Sequence, residues 1–129
     1  DLPDLWALHE QKPLRVRRDL GAMALKLSAD NMETMVLQES GTLRAYACLG
    51  KGQDFGGWWH ELGGEDTDVR RLLAGAMAFL GRDTATVLVP PYRAELVAGT
   101  QLPKAACALG LPLTATGRGP FFVDGLDSI

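Results

Sequence analysis

Apolar residues recur every three or four positions in three stretches of the chain, which is the spacing of one face of a helix. The first stretch covers residues 1–9 and begins with an acid and a proline, as helix starts often do. The second covers residues 16–29. The third ends at Gly81 and has the clearest apolar stripe, which consists of Val69, Leu72, Leu73, Ala76, Met77 and Leu80. The pattern predicts three helices, with His9 as a structural residue on the stripe of the first.

Strand patterns lie between and after these helices. Residues 33–39 and 42–49 flank a Ser-Gly pair and predict a β-hairpin. Residues 57–62 predict a third strand, and the β-branched run 84–89 predicts a buried strand that is parallel to it, because a helix connects the two. The glycine-rich residues 50–57 are either a mobile lid or a long hairpin connection, and the second alternative is favoured.

The order of elements predicts one α+β domain over residues 1–129, with a mixed central sheet and helices on both faces in an αβα arrangement. Beyond the Pro90-Pro91 pair, further elements are expected. They are helical segments over 92–98 and 102–109 and a closing hairpin from 111–116 and 121–123.

Composition excludes several classes of function. The chain has 129 residues and a net charge of −3, so it lacks the broad basic face that nucleic-acid binding requires. No apolar run long enough to span a membrane and no signal segment occurs, so we expect a cytoplasmic protein without a membrane partner. Cys48 and Cys107 have neither disulfide nor metal-ligand spacing. A chain that begins at Asp1 is expected to be a piece of a longer protein.

Three segments and the element order together resemble the GNAT superfamily of acetyl-CoA-dependent N-acetyltransferases without its first strand. The segments are WHELGG (59–64), VRRLL (69–73) and ALGL (108–111). The resemblance implies that the pantetheine arm of acetyl-CoA inserts where the strands 57–62 and 84–89 diverge. It also implies that the pyrophosphate binds N–H groups at the start of the connecting helix. The implied cofactor-binding residues are Leu62, Gly63, Gly64, Thr67, Asp68 and Val69.

The sequence departs from the family pattern at the cofactor loop and at the general acid. The cofactor motif of the family has three fixed positions, which are occupied by Arg or Gln, by Gly, and by Gly or Ala. In this chain the three positions hold Gly64, Thr67 and Val69, and none of them matches. Acidic residues at the helix start also repel a diphosphate. The tyrosine that protonates the CoA thiolate in many family members corresponds to Ala106, which leaves Tyr46 or Tyr92 as substitutes.

The third predicted strand carries the remaining candidate site residues. Alternation places Trp58, His60 and Leu62 on one face. Trp59 and Glu61 then lie on the other. The resemblance implies that Glu61 is the general base for an amine, and the alternative is a sheet residue paired with an arginine. Trp58 and Trp59 are candidate substrate-binding residues, of which one at most lines a given pocket.

Three interpretations of function follow, and they differ in one observable. In the first, the domain has a degenerate acetyl-CoA site and supports, or binds substrate for, a second GNAT-like domain of the same protein. In the second, it is an active enzyme that transfers acetyl from acetyl-CoA to a small-molecule or peptide amine. In the third, it is a non-enzymatic α+β interaction module. Only the second requires this chain to bind acetyl-CoA.

Overall fold

The computed structural model describes residues 1–97. The elements are α1 (Leu2–Glu10), α2 (Leu20–Leu27), β1 (Glu33–Glu39), β2 (Thr42–Lys51), β3 (Asp54–Gly64), α3 (Asp66–Leu80), β4 (Thr86–Val87) and a 3-10 helix (Pro91–Val97). The predicted helix over 102–109, the closing hairpin and Cys107 lie outside the described residues. None of the helices within the described part has the length and apolar composition needed to cross a bilayer.

The second helix is shorter than the sequence pattern predicts. It begins after Asp19, whose side chain accepts a hydrogen bond of 2.7 Å from the backbone N–H of Ala22. Such a cap fixes the helix start because it satisfies a backbone donor that has no partner inside the helix. Val16 therefore lies in the extended connection and is exposed, and the predicted start at residue 16 is wrong.

The four strands of residues 1–97 form one mixed sheet in the order β1-β2-β3-β4. The first three strands are antiparallel to their neighbours, as the hairpin signals predict. β4 pairs in parallel with β3, and α3 connects the two strands. The predicted parallel pairing is confirmed, although β4 is shorter than the predicted strand over 84–89.

β3 begins earlier than predicted and contains a bulge. Its first residue is Asp54, so β2 and β3 are joined by a tight turn. The register shifts because Cys48 is opposite Glu61 whereas Leu49 is opposite Trp59, which leaves His60 as the extra residue. Trp59 and Leu62 therefore belong to the same core cluster, and the strict alternation predicted for this strand is wrong.

Helices cover both faces of the sheet, as predicted. On one face α3 packs over a core that includes Ala45, Ala47, Trp59, Leu62, Val69 and Leu72. On the other face α1 and α2 pack over a second core of Leu5, Leu8, Met23, Tyr46 and Cys48. Side chains from both faces of β2 are buried, so this strand is the centre of the domain.

Candidate functional site

A gap opens where β3 and β4 separate. The two strands pair only at Trp58 with Thr86 and at Trp59 with Val87. One further hydrogen bond of 2.7 Å runs from the backbone N–H of Leu88 to the carbonyl oxygen of Trp59. β3 continues to Gly64 without a β4 partner among the described residues. The backbone at the end of β3 is therefore available to another group.

The side chain of Arg93 binds the backbone at the end of β3. Its Nη1 atom donates to the carbonyl oxygen of Leu62 at 3.2 Å, and its Nη2 atom donates to that of Gly64 at 2.6 Å. Its Nε atom donates to Asp66 Oδ1 at 2.9 Å. Arg93 is only 6% exposed. We call this arrangement of Arg93, Asp66 and the carbonyl groups of Leu62 and Gly64 the Arg93 clamp. It fixes the 3-10 helix against the end of β3.

The start of α3 is acidic, but the two acids of its first turn, Asp66 and Asp68, have arginine partners. Asp66 belongs to the Arg93 clamp, and Asp68 accepts a hydrogen bond of 3.0 Å from Arg71 Nη1. Arg44 Nε lies 3.4 Å from the other carboxylate oxygen of Asp68. These pairs offset the repulsion between neighbouring carboxylates. They also connect the first turn of α3 to β2 through Arg44 and to the 3-10 helix through Arg93.

The predicted cofactor-binding residues at this helix start differ in exposure. Thr67 is exposed, whereas Val69 is completely buried in the core under α3. Gly63 lies directly under the ring of Tyr46, and a Cβ atom added at Gly63 would lie 2.0 Å from a ring carbon. The structure thus brings Leu62, Gly63 and Gly64 to the gap, and it places the side chain of Val69 away from it.

Glu61 lies in a buried cluster of charged and polar side chains from α1, β2, β3 and the connection after α1. Lys12 forms an ion pair with Glu61 Oε1, and the Tyr46 hydroxyl donates to the same oxygen at 3.0 Å. His9 Nδ1 lies 3.8 Å from that oxygen, and Arg18 Nη1 lies 3.0 Å from His9 Nε2. We call these five residues the Glu61 cluster. Glu61 is 2% exposed and Lys12 is 7% exposed.

A pocket of about 230 Å3 lies between the end of α1, the start of α3 and the 3-10 helix. Lys12 links the pocket to the Glu61 cluster, because its side chain lines the pocket and pairs with Glu61. The lining residues are Leu8, Gln11, Lys12, Pro13, Gly64, Glu65, Asp66, Tyr92 and Arg93. Since the lining mixes both signs of charge with an amide and a phenol, it suits a small polar molecule.

The two candidate substrate tryptophans lie away from this pocket. Trp59 is completely buried in the core under α3. Trp58 is half-buried, and its ring centroid lies 6.1 Å from that of Phe55 near the other end of β3. Glu61 is therefore the predicted site residue with a connection to the pocket through a side chain, whereas neither tryptophan lines it.

Sequence reasoning missed Lys12, Arg18 and Arg93. In the sequence, Arg18 belongs to a run with Arg15 and Arg17 that is typical of a solvated face, but in the structure it is buried against His9. Arg93 follows the Pro90-Pro91 pair, which signals a turn and gives no indication of the partner that the turn brings near.

Comparisons with known proteins identify no relative of this chain. No family model matches the chain, and neither a curated protein nor a solved structure is significantly similar to it. Among residues 1–97, no group of three or more His, Cys, Asp and Glu side chains is arranged to hold a metal ion.

Proposed function

We propose that this chain is a GNAT-like domain whose acetyl-CoA site is closed, and that it supports or binds substrate for a partner domain of the same protein. The observation that carries the proposal is the Arg93 clamp. In the family that the sequence resembles, the pantetheine arm lies in the gap between the strands that correspond to β3 and β4. Here the guanidinium of Arg93 already binds the carbonyl groups of Leu62 and Gly64 at that gap.

The dimensions of the pocket support the same proposal. Sites for drug-sized ligands typically have volumes of roughly 300–1,000 Å3. The pocket beside the clamp is smaller, at about 230 Å3. Its two cations, Lys12 and Arg93, are already paired with Glu61 and Asp66. A large polyanion such as CoA suits the pocket poorly, because the volume is small and the remaining acid in the lining, Glu65, repels phosphates. A small polar substrate or amine fits its size and charge better.

The Glu61 cluster argues against the enzymatic alternative. A general base has to approach the proton that it removes to within hydrogen-bond distance, directly or through one water molecule. The Oε1 atom of Glu61 already accepts from Tyr46 and pairs with Lys12, and the residue is 2% exposed. These contacts favour a structural role for Glu61 over transfer of a proton from an amine.

The proposal predicts that acetyl-CoA, up to millimolar concentration, leaves the melting temperature of the chain unchanged. A ligand at 100 times its dissociation constant stabilises a protein by about 2.7 kcal/mol, which raises the melting temperature of a domain of this size by several degrees. Differential scanning fluorimetry with acetyl-CoA, CoA and ATP measures this. A saturable shift with acetyl-CoA and none with ATP would contradict the proposal and favour the active enzyme.

Two variants test whether Arg93 is the residue that closes the acetyl-CoA site. Arg93→Ala frees the carbonyl groups of Leu62 and Gly64, so a response to acetyl-CoA in this variant alone identifies the clamp as the block. Arg70→Ala is the matched control, because Arg70 Nε donates to the carbonyl oxygen of Leu96 at 2.8 Å. It removes a contact with the same 3-10 helix and leaves β3 untouched. We expect no response to acetyl-CoA in Arg70→Ala.

A further inference from the structure

A second, apolar groove lies on the opposite side of α3 from the Arg93 clamp. It has a volume of about 380 Å3 and runs between β1 and the side of α3 that is nearest to β1. Seven of its eight lining residues are apolar or glycine. The lining consists of Met35, Val36, Leu37, Leu72, Gly75, Ala76 and Phe79, together with Arg71.

One side chain at this groove is unusually exposed for its type, since Phe79 is 84% exposed. Gly75 also lines the groove, and a Cβ atom added there would meet no other atom within 4 Å. An exposed apolar patch of this kind is typical of a surface that binds a partner.

The groove runs along a free strand edge. β1 has β2 as its only neighbour among the strands of the described residues, so one side of its backbone has no strand partner there. A row of unpaired N–H and C=O groups is a template for an added strand. Alternate side chains of such a strand point to the same face, so one set of them would enter the groove.

We propose that an extended segment of a partner protein adds to the sheet along β1, with apolar side chains in the groove and basic side chains at its two ends. The backbone edge of β1 supplies the hydrogen bonds, and Met35, Leu37 and Phe79 supply the apolar contact, since Met35 and Leu37 lie on the face of the sheet that α3 covers. This inference is independent of the acetyl-CoA site, since the groove shares no residue with the Arg93 clamp or the pocket beside it.

The charges along β1 decide the kind of partner. Exposed glutamates, Glu33 and Glu39, stand at the two ends of β1, three residues on either side of Val36. Arg71 bonds Glu39 at 3.1 Å and is shared with Asp68. Glu33 has no ion pair within residues 1–97. An added strand with basic ends therefore meets an acidic edge.

The same charges disfavour a second copy of this chain. A two-fold axis through Val36 would pair β1 with β1 in an antiparallel arrangement and set Glu33 of each copy opposite Glu39 of the other. Like charges that face each other directly across two strands are destabilising. The acidic ends thus select a basic segment over self-association.

The test uses fluorescein-labelled heptapeptides and the whole chain of residues 1–129, without acetyl-CoA. We expect KTVTVTK to bind saturably in fluorescence anisotropy, because its terminal lysines then lie opposite Glu33 and Glu39 while its two valines enter the groove on the same face. ETVTVTE should bind at least about tenfold more weakly, because two cross-strand charge pairs change sign. Glu33→Lys should reduce this difference. Equal affinity for both peptides, or no saturable binding of either, would overturn the proposal.

A second test fills the groove with a side chain and compares the result with a matched control variant. Gly75→Gln places a side chain in open space, improves helix propensity and should weaken KTVTVTK binding by about tenfold or more while the domain stays folded. Ala74→Gln adds the same side chain at the neighbouring exposed position and should leave the affinity unchanged. If Gly75→Gln binds as well as the wild type, or if light scattering shows that β1 joins two copies, the proposal is wrong.

Discussion

Replacement of Glu61 by glutamine is expected to destabilise the domain by about 3–5 kcal/mol, since it leaves the charge of Lys12 buried without its carboxylate. Lys12 and Glu61 are 7% and 2% exposed, so water compensates little of this loss. Urea unfolding monitored by tryptophan fluorescence measures the change, because Trp59 lies in the core and reports on its exposure.

Two further variants separate the ion pair from the rest of the Glu61 cluster. Tyr46→Phe removes one hydrogen bond to the carboxylate of Glu61 and should destabilise by about 1.5–3 kcal/mol, less than the loss of the ion pair. The double variant Glu61→Gln, Lys12→Met should be less destabilised than the sum of its single variants, as expected for residues in contact. A stability of Glu61→Gln within experimental error of the wild type would refute a structural role and restore Glu61 as a candidate base.

Gly63→Ala is expected to destabilise the domain by about 3 kcal/mol, at the upper end of the range for overpacking. The added Cβ atom would lie 2.0 Å from a ring carbon of Tyr46, and that ring is completely buried between Gly63 and the helices above it. Neither β3 nor the ring can move away without disturbing Glu61. Thermal unfolding compared with the wild type measures the effect.

Gly56→Ala is the matched control, because it lies on the same strand and its added Cβ atom would meet nothing within 4 Å. We expect a change close to zero there. A smaller side chain at Tyr46, such as Tyr46→Leu, should recover part of the stability in the Gly63→Ala background. Equal effects of Gly56→Ala and Gly63→Ala would show that the close approach of the ring is not what Gly63 permits.

Local signals in the sequence predict much of the fold. The Ser-Gly pair gives the hairpin of β1 and β2, and the apolar stripe that ends at Gly81 gives α3. Gly81 adopts the left-handed conformation that ends a helix, with φ 63°. The parallel pairing of β3 and β4 follows from the helix between them. These features depend on residues close to one another in the chain.

The candidate site is less predictable, because it depends on contacts between distant residues. The bulge at His60 forms because of the way β3 pairs with β2. It determines the face of β3 on which the side chain of Leu62 lies. Lys12 and Arg18 look like solvated charges in the sequence, since a charge is normally buried only with a partner that the sequence does not reveal. Arg93 lies about thirty residues after the carbonyl groups that it binds. No local pattern encodes that pairing.

The connectivity of the sheet also implies an order of assembly. β1, β2 and β3 join through two short turns, so their pairing closes small loops and loses little chain entropy. The whole of α3 lies between β3 and β4 in the chain, so these two strands are far apart in sequence. Non-local pairing of this kind forms more slowly. We therefore expect the three-strand meander to form first on refolding, and β4 with Arg93 to join it last. The gap at the end of β3 is then open in the folding chain and becomes closed only when the rest of the domain is in place.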